Sequence, residues 1–275
     1  MSTFMGHSQE HDISASPIHL HDVTLRYNDI DVLENITADI PAGEHIAIVG
    51  PNGAGKTTLM KLIAGLIEPS RGEVNIFGHG PGGHICIAYV PQRSQVNWDF
   101  PASVAEVVMM GRIHQIGFFR WPKRTDWTIV QEALERVDMH TYSDRRIGDL
   151  SGGQQQRVFL AQALAQEAEV VLLDEPLTGL DIPGQEAILQ ILSDLRQAGV
   201  TVLTATHDLN LAAKSFDQVM LLNRRLISYG PATIALSQEA LIQAYGNQVH
   251  MLPGADGVLV LSDTCCDGEE EHPRP

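Results

Sequence analysis

The residues from Gly50 to Thr57 have the types and spacing that bind a polyphosphate. They read Gly50, Pro51, Asn52, Gly53, Ala54, Gly55, Lys56 and Thr57, a full match to the glycine-rich phosphate-loop pattern. Because glycine carries no side chain, backbone N–H groups have room to surround the phosphates. Lys56 would place its charge on the β- and γ-phosphates of a nucleotide, and the Thr57 hydroxyl would ligate a bridging Mg²⁺. Thr58 completes the predicted phosphate-binding segment.

The flanks of this phosphate loop (50–57) predict a buried strand before it and an amphipathic helix after it. His45–Val49 is a short apolar run, and Leu59, Leu62, Ile63 and Leu66 recur at helical spacing. Gly65 and Pro69 predict the end of that helix. The helix N-terminus would add positive potential beneath the phosphates. A glycine-rich strand-to-helix turn is the plain structural alternative. It does not explain the Gly-Lys-Thr end, so phosphate binding is favoured.

Two acidic residues follow a second apolar run. The run 170–173 predicts a buried parallel strand that ends in Asp174 and Glu175. Sites in α/β sheets lie at the carboxyl ends of strands, so Asp174 would hold Mg²⁺ through its water shell and Glu175 would deprotonate an attacking water. A further strand at 200–204 would bring His207 to the same edge.

A second glycine-rich helix start lies at 150–157. Ser151 and Gln154 fit a capping box, which is the structural explanation of this segment. Capping does not explain Gly152 and Gly153, because glycine in a helix costs about 1 kcal/mol relative to alanine. Glycines at this position favour close approach of another group to the backbone, and a phosphate is the natural candidate.

Composition limits the class of protein. The 275 residues are 44% hydrophobic, enough for a sizeable core, and the net charge of −16 argues against a nucleic-acid-binding surface. No apolar run approaches the ~20 residues that span a bilayer, and the N-terminus lacks the features of a signal peptide. The sequence therefore predicts a soluble, cytosolic chain, with residues 1–17 disordered.

Histidines and cysteines do not form a recognisable metal site. Three cysteines do not make a disulfide framework, and Cys265 and Cys266 are neighbours. Several of the 12 histidines lie near the N-terminus, but no spaced ligand pairs appear. Solvated terminal residues are the favoured interpretation.

Helical patterns dominate the middle of the chain. Ser103 and Glu106 form a capping box that starts a helix ending at Gly111. A second amphipathic helix is marked by Trp127, Val130, Leu134 and Val137. The loop 117–123 between them is aromatic and basic, which indicates an exposed surface. Earlier in the chain, Tyr27 ends an alternating strand and has three open interpretations: core residue, surface residue or platform for an adenine ring.

Together these motifs resemble the nucleotide-binding subunit of ABC transporters over residues 18–246. The matching features, in the order and spacing of that family, are the phosphate loop, Gln92, the signature segment Leu-Ser-Gly-Gly-Gln (150–154), Asp174-Glu175, Leu180-Asp181 and His207. The resemblance implies an α/β fold: a P-loop ATPase core with a mostly parallel sheet, an antiparallel β subdomain and an inserted helical subdomain at about 93–166. Residues 247–275 would be a C-terminal extension with an acidic, disordered tail.

The resemblance also implies roles for residues that spacing alone does not assign. Tyr27 would stack on adenine, Gln92 would sense Mg²⁺ and water beside the other metal-binding residues, His207 would contact the γ-phosphate, and Asp181 would link two sites. Two subunits would face head to tail, so that each ATP lies between one phosphate loop and the other signature segment. One departure is Thr178-Gly179, where the family more often has Ser-Ala; it leaves the chemistry intact but weakens inference about the interface.

Within the family, residues 97–101, 109–112 and 118–120 look like the manganese, zinc and iron importer branch. That branch implies a homodimer on the cytoplasmic face of a membrane permease dimer and an extracytoplasmic metal-binding protein. The alternatives are an importer for iron or iron chelates, or a soluble ATPase acting on DNA or ribosomes. One set of motifs and the acidic charge oppose the soluble alternative, and Glu175 and His207 oppose a regulator without turnover.

Overall fold

Two sheets organise the protein in this computed structural model, which describes residues 17–28, 30–80, 86–96, 98, 100–117, 119–246, 252–253 and 259–260. A six-stranded sheet has the order β5-β6-β7-β3-β8-β9, in which only the β8–β9 pair is antiparallel. A three-stranded antiparallel sheet has the order β2-β1-β4, and β10 pairs with β11. The strands are β1 Ile18–Tyr27, β2 Ile30–Ile40, β3 His45–Val49, β4 Arg71–Ile76, β5 Ile87–Val90, β6 Val170–Asp174, β7 Thr201–Ala205, β8 Gln218–Asn223, β9 Arg225–Gly230, β10 Leu252–Pro253 and β11 Leu259–Val260.

Nine α-helices occur in the described ranges, and a helical segment is inserted between β5 and β6. The helices are α1 Lys56–Ile63, α2 Val104–Met110, α3 Ile113–Ile116, α4 Arg124–Arg136, α5 Gly152–Ala165, α6 Ile182–Gln197, α7 Leu209–Ser215, α8 Ala232–Ala235 and α9 Gln238–Tyr245. The expected fold, a parallel ATPase core with an antiparallel sheet and a helical insertion, is confirmed.

The central strands are buried along their whole length. Every residue of β3, β6 and β7 is buried, as continuous apolar runs in a parallel sheet require. Helix α1 buries Leu59, Leu62 and Ile63 beneath this sheet. Leu66 shares the helical spacing but is 59% exposed, because it lies beyond Gly65, where the sequence predicts that the helix ends. The helix ends before it because Gly65 adopts the left-handed conformation, with φ of 68°.

The inserted helices pack around one apolar cluster. Val130 and Leu134 of α4 and Val108 of α2 belong to it, and the capping box of Ser103 with Glu106 is present. Trp127 is 41% exposed, so its predicted inward position was wrong. Gly111 does end α2, and a Cβ there would lie 2.4 Å from the Gln162 carbonyl oxygen of α5.

Several predicted features fall on residues outside the described ranges. They are the disorder of residues 1–16 and of the C-terminal tail, the two cysteines 265 and 266, and parts of the branch-specific segments at 97, 99 and 118. Pro17, which we assigned to the N-terminal segment, is buried, and its carbonyl accepts a hydrogen bond from Phe77 N at 2.9 Å. Over the part of the chain described, no helix has the length and apolarity needed to cross a membrane.

His45, the first residue of β3, gives the fold a pH dependence. It is 3% exposed, and burial lowers its pKa to about 4, against a smaller raising effect of Asp217. The pKa of His45 is lower in the folded state than in the unfolded state, so folding favours the neutral ring. Its contribution to stability is therefore fully present above the pKa of the unfolded state. This contribution is lost as the pH falls towards 4. We expect about 2 kcal/mol less stability from this residue at pH 5 than at pH 8.

Urea unfolding of the wild type and His45→Leu at both pH values measures this contribution. The loss between pH 8 and pH 5 should be smaller in His45→Leu, whereas His140→Leu, at an exposed position, should follow the wild type. Equal losses in all three proteins would show that His45 does not titrate as its burial requires.

Candidate functional site

The phosphate loop joins the end of β3 to the start of α1, as its flanks predict. Packing behind the loop requires glycine at two positions: a Cβ at Gly50 would lie 2.0 Å from the Leu222 carbonyl oxygen, and one at Gly55 would lie 2.6 Å from Leu33 Cδ2. Gly53, by contrast, has φ of 78° and no heavy atom within 4 Å of an ideal Cβ. Gly50 and Gly55 are therefore required where the loop packs against the rest of the protein, in addition to any space that a ligand needs.

Lys56 turns its side chain back into the curve of the loop. It is 7% exposed, and Nζ donates hydrogen bonds to the carbonyl oxygens of Gly50 at 2.7 Å and Pro51 at 3.1 Å. Burial lowers its pKa, while Glu175 and Asp174 act in the opposite direction. The cavity beside the loop is lined by Val32, residues 52–58 and Glu175. Val32 was missed, because a lone valine before the loop carries no sequence signal.

Thr57 and Asp174 meet as expected for a shared metal site. The Thr57 hydroxyl donates to Asp174 Oδ2 at 2.7 Å, and Asp174 is 1% exposed. Burial raises the pKa of Asp174, opposed by the Thr57 hydrogen bond. The Tyr89 hydroxyl lies 3.5 Å from the same oxygen, a neighbour that the sequence did not reveal. Burial and Asp174 together raise the pKa of Tyr89, so its hydroxyl stays protonated.

These oxygen ligands fit Mg²⁺. A buried carboxylate beside a hydroxyl offers hard donors, and Mg²⁺ is usually bound by one or two carboxylates with phosphates and water. No group of three or more His, Cys, Asp or Glu side chains that could hold a metal occurs among the described residues. That finding is compatible with Mg²⁺ arriving with a nucleotide, and it gives no support to a separate protein-only metal cage.

The side chain of Glu175 lies close to residues that follow three different strands. Gln92, after β5, donates from Nε2 to Glu175 Oε2 at 2.9 Å, and His207 Nδ1, after β7, lies 4.0 Å from Oε1. Since β5, β6 and β7 are neighbours in the sheet, their carboxyl ends converge here. The Thr178 hydroxyl also donates to Oε2, at 3.2 Å. Sequence reasoning noted Thr178 as a departure from the family but did not assign it to the site.

The signature segment is folded as a capping box at the start of α5. Ser151 N donates to Gln154 Oε1 at 2.9 Å, and the cavity beside the phosphate loop has no signature residue among its described lining. The Arg93 guanidinium packs against Gly152, about 3.2 Å from an ideal Cβ there, and Arg93 Nε donates to Gln155 Oε1 at 2.9 Å. Gly152 and Gly153 are thus not among the described residues that line the phosphate-loop cavity of their own chain.

Tyr27 and Asp181 occupy positions that bear on their predicted roles. Tyr27 ends β1 and is 50% exposed, which excludes the core alternative and leaves a surface residue or a stacking platform. Asp181 is the N-cap of α6, where Oδ1 accepts a hydrogen bond from Gly184 N at 3.2 Å. A link from Asp181 to a second site stays a prediction.

Comparison with known proteins identifies relatives of this chain. The family model described as ABC transporter matches residues 33–178. The manganese transport system ATP-binding protein MntB of Bacillus subtilis is 44% identical over 237 residues, 86% of this chain and 95% of that protein. The zinc transport system ATP-binding protein TroB of Treponema pallidum is also 44% identical, over 86% of this chain and 89% of that protein.

A solved structure shares the fold. The ATP-binding cassette MJ0796, in a dimeric post-hydrolysis state bound to ADP and Pi, matches with a TM-score of 0.69 and 28% identity, over 78% of this chain and 98% of that chain.

Proposed function

Because the chain belongs to the ABC transporter family as an ATP-hydrolysing subunit, we propose that it powers import of a divalent transition metal, manganese or zinc before iron, through a separate permease. The observation that carries the proposal is the convergence of the phosphate loop, Asp174 and Glu175 on one edge of the sheet. Relatives named for manganese and zinc transport support the cargo.

ATP binding uses the phosphate loop and requires one side chain to move. The backbone N–H groups of residues 52–58 surround the phosphates, and the Lys56 ammonium, buried within the loop, moves from two carbonyl oxygens to the β- and γ-phosphates. Thr57 and Asp174, with Gln92 nearby, would hold Mg²⁺, which neutralises charge on the phosphate oxygens when bound. Tyr27, exposed at the end of β1, supplies the face on which adenine stacks.

Hydrolysis then needs a base and a positioned water. Glu175 takes a proton from water as the water oxygen bonds to the γ-phosphorus. The bond from that phosphorus to the β,γ-bridging oxygen breaks, and ADP leaves with the electron pair. Gln92 orients the water through its contact with Glu175, and His207 contacts the γ-phosphate.

A second copy of the chain completes each site. The N-terminus of α5, capped by Ser151 and beginning with Gly152 and Gly153, has N–H groups that suit a γ-phosphate, and these residues are not among the described lining of the phosphate-loop cavity of their own chain. In a head-to-tail homodimer it closes over the ATP of the partner, and Asp181 lies between the two sites. The dimeric state of MJ0796 supports this arrangement.

The permease would dock on the exposed apolar surface of the helical insertion. Phe119 is 98% exposed, and Trp121, which is 90% exposed, lines a surface cavity together with Met110 and Ile113. A permease dimer at the cytoplasmic membrane face, fed by an extracytoplasmic metal-binding protein, would use this surface. The ligands that select the metal would then lie in those partners rather than in this chain.

Cells that lack this chain should be starved of one metal. Growth under limitation of manganese, zinc and iron in turn, with cellular metal contents, is the measurement. The expected result is a deficit of manganese or zinc that is relieved by adding that metal alone and by a wild-type copy, but not by a Glu175→Gln copy. A deficit of iron alone would favour the alternative importer. Normal contents of all three metals would exclude the cargo while leaving the ATPase unaffected.

A further inference from the structure

The turn that follows β6 brings the Thr178 hydroxyl back to the carboxylate of Glu175. Thr178 N donates to the Glu175 carbonyl oxygen at 3.3 Å, which closes the turn, and Thr178 Oγ1 donates to Glu175 Oε2 at 3.2 Å. The fourth residue of the turn thus contacts both the backbone and the side chain of the first. This contact involves no group of the nucleotide and is not used in the hydrolysis steps above.

The two carboxylate oxygens of Glu175 have unequal surroundings. Oε2 accepts hydrogen bonds from both Thr178 Oγ1 and Gln92 Nε2, at 3.2 and 2.9 Å. Oε1 has His207 Nδ1 at 4.0 Å, beyond hydrogen-bond distance. An oxygen that already accepts two donors has little capacity left for a proton, whereas no donor from the described residues lies within hydrogen-bond distance of Oε1.

We propose that Thr178 is a positioning residue which, together with Gln92, holds Oε2 of Glu175 so that Oε1 accepts the proton of the attacking water. The proposal rests on the role of Glu175 as general base. Thr178 itself transfers no proton: its hydroxyl remains a donor to Oε2 throughout, and the proton from water goes to Oε1.

The physical need for such a contact lies in the flexibility of a glutamate. The terminal torsion of Glu is broad rather than staggered, so a carboxylate with one donor rotates and spends less time in the reactive orientation. Two donors on one oxygen from separate elements, Gln92 after β5 and Thr178 in the turn after β6, restrict that rotation. Displacement of a reacting group by about 1 Å costs on the order of a hundredfold in rate.

The backbone adopts left-handed conformations at Glu175, where the turn begins, and at Gly179, just after Thr178. Glu175 has φ of 51°, an uncommon left-handed conformation for a residue other than glycine, and Gly179 has φ of 76°. No heavy atom lies within 4 Å of an ideal Cβ at Gly179, so conformation and not space favours glycine there. Strained backbone of this kind is typical of functional sites.

Three variants of the full-length chain separate the hydroxyl from other properties of the residue. Thr178→Val removes the hydroxyl and keeps the shape, Thr178→Ser keeps the hydroxyl, and Thr128→Val removes another exposed threonine hydroxyl bond, to Arg124 O on α4. We expect Thr178→Val to lower kcat for ATP roughly threefold to tenfold with an unchanged KM, since a single solvent-exposed hydrogen bond is lost while Gln92 still donates to the same oxygen. Thr178→Ser and Thr128→Val should keep the wild-type kcat.

Glu175→Gln, alone and combined with Thr178→Val, distinguishes this proposal from the proposed function. If Thr178 acts through Glu175, Thr178→Val should cause no further loss in the Glu175→Gln background. A normal rate for Glu175→Gln would remove the general base and this proposal together. An inactive Glu175→Gln beside a normal Thr178→Val, a Thr178→Ser as slow as Thr178→Val, or a raised KM with unchanged kcat would each overturn the positioning role alone.

Discussion

Replacing Glu175 with glutamine should lower the ATP turnover of the purified protein by about two to four orders of magnitude while ATP binding persists. The range follows from the usual contribution of a general base. Glutamine keeps the size and hydrogen-bonding reach of the side chain but has no basic oxygen for the proton of water. The loss should therefore appear in kcat, with little change in ATP affinity, and the uncleaved nucleotide should trap an ATP-bound dimer.

Two further variants make this result specific. Lys56→Ala should lose ATP affinity as well as turnover, because the variant lacks the positive charge that binds the phosphates. Glu132→Gln makes the same change in net charge at an exposed position on α4, and it should keep the wild-type turnover. That result would show that the loss in Glu175→Gln is not an effect of net charge. Release of phosphate measured at saturating ATP, beside ATP binding at equilibrium, gives both quantities. Normal turnover in Glu175→Gln would assign Glu175 another role.

Mixing two inactive variants should restore ATPase activity if each site is shared between subunits. Lys56→Ala damages the phosphate loop, and Ser151→Arg blocks the signature segment with a bulky charge. A heterodimer of the two has one site with both lesions and one site with none. For equal amounts and random pairing, recovery of up to about a quarter of wild-type activity is expected in a symmetric dimer with independent sites.

A second mixture serves as the matched control. Lys56→Ala and Glu175→Gln both damage the same half of the composite site, so each site of their heterodimer carries one lesion and no activity should return. Formation of heterodimers is checked by pulling down one tagged variant with the other. Equal recovery in the two mixtures, or none in the first despite proven heterodimers, would contradict a site shared between the phosphate loop and the signature segment.

Much of the site followed from short stretches of sequence. The phosphate loop between an apolar run and a helical pattern, the capping boxes at Ser103 and Ser151, and the carboxylates at the end of β6 all depend on residues a few positions apart. Local backbone preferences and hydrophobic periodicity act over the same range, which is why the sequence was sufficient there. The exposure of the 117–123 loop at Phe119 and Trp121 was also anticipated.

Where local pattern was insufficient, packing had the deciding effect. Trp127 shared the periodicity of α4 yet lies at its solvent side. Gly50 was expected to make room for phosphate. The Leu222 carbonyl oxygen behind it, from a strand more than a hundred and fifty residues later, requires glycine there too.

The sequence by itself thus predicted which groups would bind phosphate, hold Mg²⁺ and activate water. Only the tertiary structure decided how those groups pair: Gln92 and Thr178 on one oxygen of Glu175, His207 beside the other, and Tyr89 near Asp174. These pairs depend mainly on the strand order β5-β6-β7 and on the turn after β6. Hydrophobic periodicity specifies that a strand is buried but not which strand lies beside it, because that choice is made when the whole core packs.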